Sequence, residues 1–141
     1  MSILENGPLD HIGIAVPEIE SACTLFVSLL GAELEHREMV PGQQAEVAFL
    51  RMAGETTIEL VAPTSDASPL ARFLEKHGPG LHHLCMKVPD VAAALEAARA
   101  AGAKVVDDQA RVGARNSRIA FLHPASLSGV LLELKESPAS G

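Results

Sequence analysis

Apolar residues along this chain change their period several times, and the changes come round twice. From Leu9 to Val16 they alternate, with Ile12, Ile14 and Val16 facing away from His11, which predicts a strand. Ile19, Ala22, Cys23 and Phe26 then fall at i, i+3, i+4 and i+7, the stripe of a helix that Gly31 stops. Glu33 to Met39, Glu46 to Met52 and Thr56 to Ala62 read as three further strands. Ser68 followed by Pro69 opens a short helix with Leu70, Phe73 and Leu74 on one face, and Gly78-Pro79-Gly80 closes it. The cycle then restarts with a strand over Leu81 to Val88 and a helix carrying Val91, Ala94, Leu95 and Ala98 up to Gly102. Strands follow over Lys104 to Val106, Arg118 to His123 and Val130 to Lys135.

The second cycle is a copy of the first. Leu9-Asp10-His11-Ile12-Gly13-Ile14-Ala15-Val16 matches Leu81-His82-His83-Leu84-Cys85-Met86-Lys87-Val88, each residue 72 positions on, and the helical stripes obey the same offset. Ile58-Glu59-Leu60 matches Leu132-Glu133-Leu134 at an offset of 74. The pattern predicts an α+β protein of two tandem βαβββ modules, about 9–63 and 81–136, joined by a helical connector at about 68–77. With 141 residues, of which 48% are hydrophobic, the length fits one domain spanning 1–141. A ligand site at the junction of such modules would draw equivalent residues from both.

That rule selects the candidates. Of six histidines only His11 and His83 are repeat-equivalent, and Glu59 and Glu133 occupy matching places in the last strand of each module. Ile58 and Leu60 point opposite to Glu59, and Leu132 and Leu134 opposite to Glu133, as Ile12, Ile14 and Val16 do to His11. Two imidazoles and two carboxylates suit a divalent ion of borderline softness with open positions: cobalt, manganese, nickel, iron or zinc. The remaining histidines read otherwise. His82 faces opposite to His83, His36 lies in a charged, exposed stretch, His77 ends a helix, and His123 ends a strand before Pro124.

Net charge is -7 and the chain has no Trp or Tyr, so it offers neither a basic field nor many stacking platforms for nucleic acid. One local exception is Arg111, Arg115 and Arg118, which fall within eight positions free of acids and could receive an anionic small molecule. No apolar run reaches the length of a membrane span and the start lacks a signal-peptide pattern, so the expected location is the cytoplasm. Cys23 and Cys85 lie in apolar-patterned segments without metal-site spacing and read as free thiols.

The doubled βαβββ unit with His and Glu at these places resembles the vicinal oxygen chelate (glyoxalase) superfamily, a fold in which a curved mixed sheet surrounds a shared metal site. Within it, Phe73-Leu74-Glu75-Lys76, Gly80-Leu81-His82-His83, Phe121-Leu122-His123-Pro124 and Gly129-Val130-Leu131-Leu132-Glu133-Leu134 resemble the family of epimerases acting on methylmalonyl-CoA. The resemblance implies a metal site on His11, Glu59, His83 and Glu133, filled by cobalt or manganese, with nickel, zinc or magnesium as further options. It implies Glu46 and Glu133 as acid/base groups, Arg118 and Asn116 as substrate contacts, an acyl-CoA substrate, a homodimer and a place in propionate metabolism. The chemistry it implies is removal of an α-proton to give a metal-stabilised enolate, followed by proton return on the other face. Lactoylglutathione lyase (glyoxalase I) shares the metal pattern and is the alternative reading. A metal-free binding protein of the same fold is another, while a ring-cleaving dioxygenase of the superfamily is disfavoured by the absence of Tyr.

Overall fold

The computed structural model describes residues 4 and 7–136. It divides into two compact units, residues 11–82 and residues 83–136 together with the described residues before 11.

The first unit is built from β1 (Leu9–Ala15), α1 (Ile19–Leu30), β2 (Glu33–Val40), β3 (Ala45–Arg51), β4 (Thr57–Pro63) and α2 (Pro69–His77). Its strands run in the order β2-β3-β4-β1. β1 is parallel to β4, and the other pairs are antiparallel. The crossover from β1 is made by α1, whose Ile19 and Ala22 pack on Ala48, Leu50, Leu60 and Ala62. Leu50 and Leu60 are wholly buried, and such a side chain contributes about 1.5–3 kcal/mol. Helix α1 ends where Gly31 takes φ 68°, a left-handed conformation that glycine adopts without steric cost. In α2, Ser68 Oγ accepts from Leu70 N at 3.1 Å and Pro69 occupies the first turn.

The second unit repeats the plan with β5 (Gly80–Val88), α3 (Val91–Ala100), β6 (Arg111–Val112), β7 (Arg118–Leu122) and β8 (Leu131–Glu136). Its strand order is β5-β8-β7-β6, with β5 parallel to β8. Val91, Leu95 and Ala98 of α3 cover Ala120, Leu122 and Leu134. Asp90 caps α3 by accepting from Ala93 N at 3.0 Å. Glu136 Oε1 accepts from Val91 N at 2.9 Å on the same side of the sheet.

One expected strand is absent. Lys104 to Val106 forms only an isolated bridge, Val105 to Leu122, and the outer strand is instead the two-residue β6. Side chains have taken bonds that a strand would make: Phe121 N donates to Asp107 Oδ2 at 2.8 Å, and Lys104 N donates to Ser126 Oγ at 2.7 Å.

Candidate metal centre

In the first unit, β3 and β4 align Phe49 opposite Glu59 and Ala48 opposite Leu60. Paired residues share a face, so Ala48 and Leu60 enter the core under α1 while Phe49 and Glu59 occupy the other side. His11 on β1 joins them, with Nε2 at 3.2 Å from Glu59 Oε1. The ring of Phe49 meets the imidazole edge-on, centroids 5.6 Å apart and planes at 83°. His11 and Glu59 keep only 3% and 5% of their surface.

The second unit reproduces this arrangement. Phe121 on β7 lies opposite Glu133 on β8, His83 Nε2 lies 3.2 Å from Glu133 Oε1, and the Phe121 and His83 rings are 5.9 Å apart at 87°. Phe121 follows Phe49 by the same 72 positions that separate His83 from His11. The two phenylalanines were not among the sequence candidates, yet a signal existed: Val47-Ala48-Phe49-Leu50 matches Ile119-Ala120-Phe121-Leu122 at that offset. Each ring packs edge-on against an imidazole.

Each pair is buried and offers one imidazole nitrogen and one carboxylate oxygen, donors of the kind that hold a metal ion. Burying a carboxylate disfavours its charged form, and a divalent cation accepting both the carboxylate and the neutral imidazole offsets that cost. The residues therefore fit a divalent ion.

Two expected site residues are placed elsewhere. Glu46 lies on the face of β3 that carries Ala48 and Leu50, the face covered by α1. Arg37 Nε donates to its Oε2 at 2.7 Å while Arg37 Nη1 donates to Glu20 of α1 at 2.6 Å, so Glu46 anchors a helix to the sheet. The hydrogen bonds to Glu20 and Glu46 also raise the Arg37 pKa. Glu46, expected as an acid/base group, thus lies on the strand face opposite to that of His11 and Glu59. Arg118, its repeat equivalent and the expected substrate contact, is exposed at the start of β7. By strand alternation it lies on the face of Ala120 and Leu122, which pack with residues of α3. Arg111, on the ligand-bearing side through its pairing with Ile119, is held by Asp107 at 3.2 Å and sits 5.7 Å from the Phe121 ring.

Asn116 is exposed in the turn Ala114–Asn116, where Arg115 and Asn116 both have positive φ, 56° and 57°. Left-handed non-glycine residues cost about 1 kcal/mol or more each and concentrate at functional sites. The next residue, Ser117, is a candidate that sequence reading missed. It shares a face with Ile119 and Phe121, is 1% exposed, and its Oγ has no hydrogen-bond partner among the described residues.

The other histidines have structural contacts. His82 and His77 both pack on Phe73 with centroids 4.8 Å apart, and His123 Nδ1 accepts from Ala125 N at 3.0 Å. His36 is not merely exposed: its ring lies 6.2 Å from Phe49 and Nε2 is 2.8 Å from Glu38 Oε1. Cys23 and Cys85 form no disulfide, and burial raises the pKa of Cys23. No helix among the described residues is long and apolar enough to cross a membrane.

Comparisons with known proteins agree with this geometry. The sequence profile of the glyoxalase/bleomycin resistance protein/dioxygenase superfamily matches residues 10–121. The ethylmalonyl-CoA/methylmalonyl-CoA epimerase of Cereibacter sphaeroides is 38% identical over 92% of this chain and 98% of its own length. Among solved structures, methylmalonyl-CoA epimerase from Mycobacterium tuberculosis is 40% identical with a TM-score of 0.87, covering 94% of this chain and 89% of the other. A variant of the Streptomyces coelicolor methylmalonyl-CoA epimerase, in complex with 2-nitronate-propionyl-CoA, is 34% identical with a TM-score of 0.89, covering 94% and 99%. The chain belongs to the glyoxalase/bleomycin resistance protein/dioxygenase superfamily and, within it, to the methylmalonyl-CoA epimerase family.

Proposed function

We propose that this protein is a metal-dependent epimerase that interconverts the two epimers of methylmalonyl-CoA, and that its two units form one domain sharing one ion, cobalt or manganese. The observation that carries the reading is the twin buried His–Glu pair, 3.2 Å in each unit, in a chain of this family. The ligand of the Streptomyces relative adds support, since a nitronate next to a thioester carries the planar, delocalised anion that an enolate would carry.

The reaction needs a proton removed from a carbon between a thioester and a carboxylate, then one returned on the opposite face. A divalent ion held by His11, Glu59, His83 and Glu133 supplies Lewis acidity toward substrate oxygens when bound. The chain supplies the rest. Phe49 and Phe121 hold the imidazole planes. Burial of all four donors excludes water, which strengthens every charge interaction at the site. Ser117 Oγ donates to a substrate oxygen, satisfying a hydroxyl that otherwise lies buried without a partner, and the strained turn with Asn116 shapes the rim beside it. Glu133 serves in proton return as well as in holding the ion.

Conversion of one methylmalonyl-CoA epimer into the other by metal-loaded protein tests the proposal, with methylglyoxal plus glutathione as the control substrate. Turnover of the first and not the second is expected. The reverse would establish the lactoylglutathione-lyase alternative, which gains no support from the relatives above.

A further inference from the structure

Epimerisation through an enolate requires an acid/base group on each side of the reacting carbon, and the side chain expected to serve the first unit, Glu46, is bound to Arg37 on the wrong face. On the ligand-bearing face β3 presents Ala45, Val47, Phe49 and Arg51; the first three carry no titratable proton, and an arginine paired with Glu33 and Glu35 does not act as a base. The neighbouring strand carries groups that can. β2 pairs with β3 so that Glu38 lies opposite Val47 and His36 opposite Phe49. Cross-strand partners share a face, so both side chains project from the side that bears Glu59. The ring contacts agree, with His36 against Phe49 and Phe49 against His11.

Glu38 and His36 are also bonded to each other. An ionised carboxylate only accepts, so at 2.8 Å the His36 Nε2–H donates to Glu38 Oε1. Glu38 keeps 29% of its side-chain surface and His36 36%, enough to meet a substrate and to exchange protons with solvent. Two strand spacings, roughly 10 Å, separate β2 from β4, which leaves room for an acyl group between Glu38 and Glu59.

We infer that Glu38, oriented by His36, is the acid/base group of the first unit. The inference rests on the epimerase reading. Glu38 takes the α-proton onto a carboxylate oxygen, the electron pair of the broken C–H bond passes into the thioester carbonyl as an enolate, and Glu38 becomes a neutral acid. A proton delivered to the opposite face, from Glu133 or from water, forms the new C–H bond, and exchange with solvent resets both groups. His36 is a positioning residue that acts through the carboxylate.

The test follows deuterium uptake and epimerisation of methylmalonyl-CoA in deuterated water by metal-loaded wild type, Glu38→Gln, His36→Gln, His36→Phe and Glu46→Gln. Wild type is expected to label both epimers. Glu38→Gln retains its metal and its melting temperature, loses roughly 10²-fold or more of its epimerisation, and labels from one epimer only. His36→Gln, which keeps an N–H donor, holds turnover within about tenfold, whereas His36→Phe lowers kcat with KM unchanged, by roughly the 10- to 100-fold seen when a supporting neighbour is lost. Glu46→Gln stays within a few-fold of wild type. A Glu38→Gln enzyme that epimerises nearly as fast as wild type, or still labels both epimers, overturns the inference while leaving the epimerase reading intact. Absence of label in wild type overturns both.

Discussion

The two units are alike where they hold His, Glu and Phe and unlike over the rest of the same face. In the first unit that face runs from His11 through Gly13 to Ala15, from Glu59 to Val61, and from Phe49 back to Val47 and Ala45. At the equivalent places the second unit has Cys85 and Lys87, Lys135, and Ile119 and Ser117. Lys135 Nζ lies 3.2 Å and Lys87 Nζ 3.6 Å from the carboxylate of Asp10. What the units share is what a metal ion needs, and an ion has no front or back, so two identical half-sites serve it equally. A malonyl thioester has a carboxylate at one end and a thioester at the other. On the proposed reading its recognition falls to positions at which the copies have diverged: a buried hydroxyl in the second unit, a carboxylate–imidazole pair in the first.

If the half-sites are equal, Glu59→Ala and Glu133→Ala weaken metal binding alike, each by more than the 10- to 100-fold typical of losing an outer neighbour. Elemental analysis after dialysis checks this, and one variant binding as tightly as wild type breaks the equivalence. Phe49→Leu and Phe121→Leu sharpen it at the next level. Both remove an edge contact to an imidazole, so both should cost about tenfold in metal affinity, measured by competition with a chelator.

The repeat that exposed the His and Glu positions was legible because an offset of 72 over eight consecutive residues leaves only one register. The same offset also relates the two Phe-bearing strands, but a run such as Val47-Ala48-Phe49-Leu50 reads as ordinary buried strand and draws no notice on its own. The face of Glu46 was less accessible. Ala45, Val47 and Phe49 are as apolar as Ala48 and Leu50, since β3 is buried on both sides, and periodicity cannot then say which side meets the helix. The face of Arg118 was equally hidden on β7, where Ile119 and Ala120 are both buried. Lys104 to Val106 was too short for pattern alone to separate a strand from a segment tied down by Asp107 and Ser126.

Smaller effects probe the divergent part. Ser117→Ala should raise KM by roughly 2- to 12-fold, the range for one hydrogen bond of about 0.5–1.5 kcal/mol, and leave metal content unchanged. An unchanged KM would remove the hydroxyl from substrate binding. Arg118→Ala should scarcely alter kinetics, because its face is the one beneath α3. Glu46→Gln lowers the melting temperature slightly through its bond to Arg37, and a large loss of turnover there would return the carboxylate to the chemistry.

The shared ion is the central claim, and its stoichiometry tests that claim most directly. Native mass spectrometry of the metal-loaded chain, alongside Glu59→Ala and Glu133→Ala, should find one divalent ion per wild-type chain and none retained by either variant under the same conditions. Two ions per chain, each lost separately with its own glutamate, would mean that the His–Glu pairs bind independently, and would contradict the account.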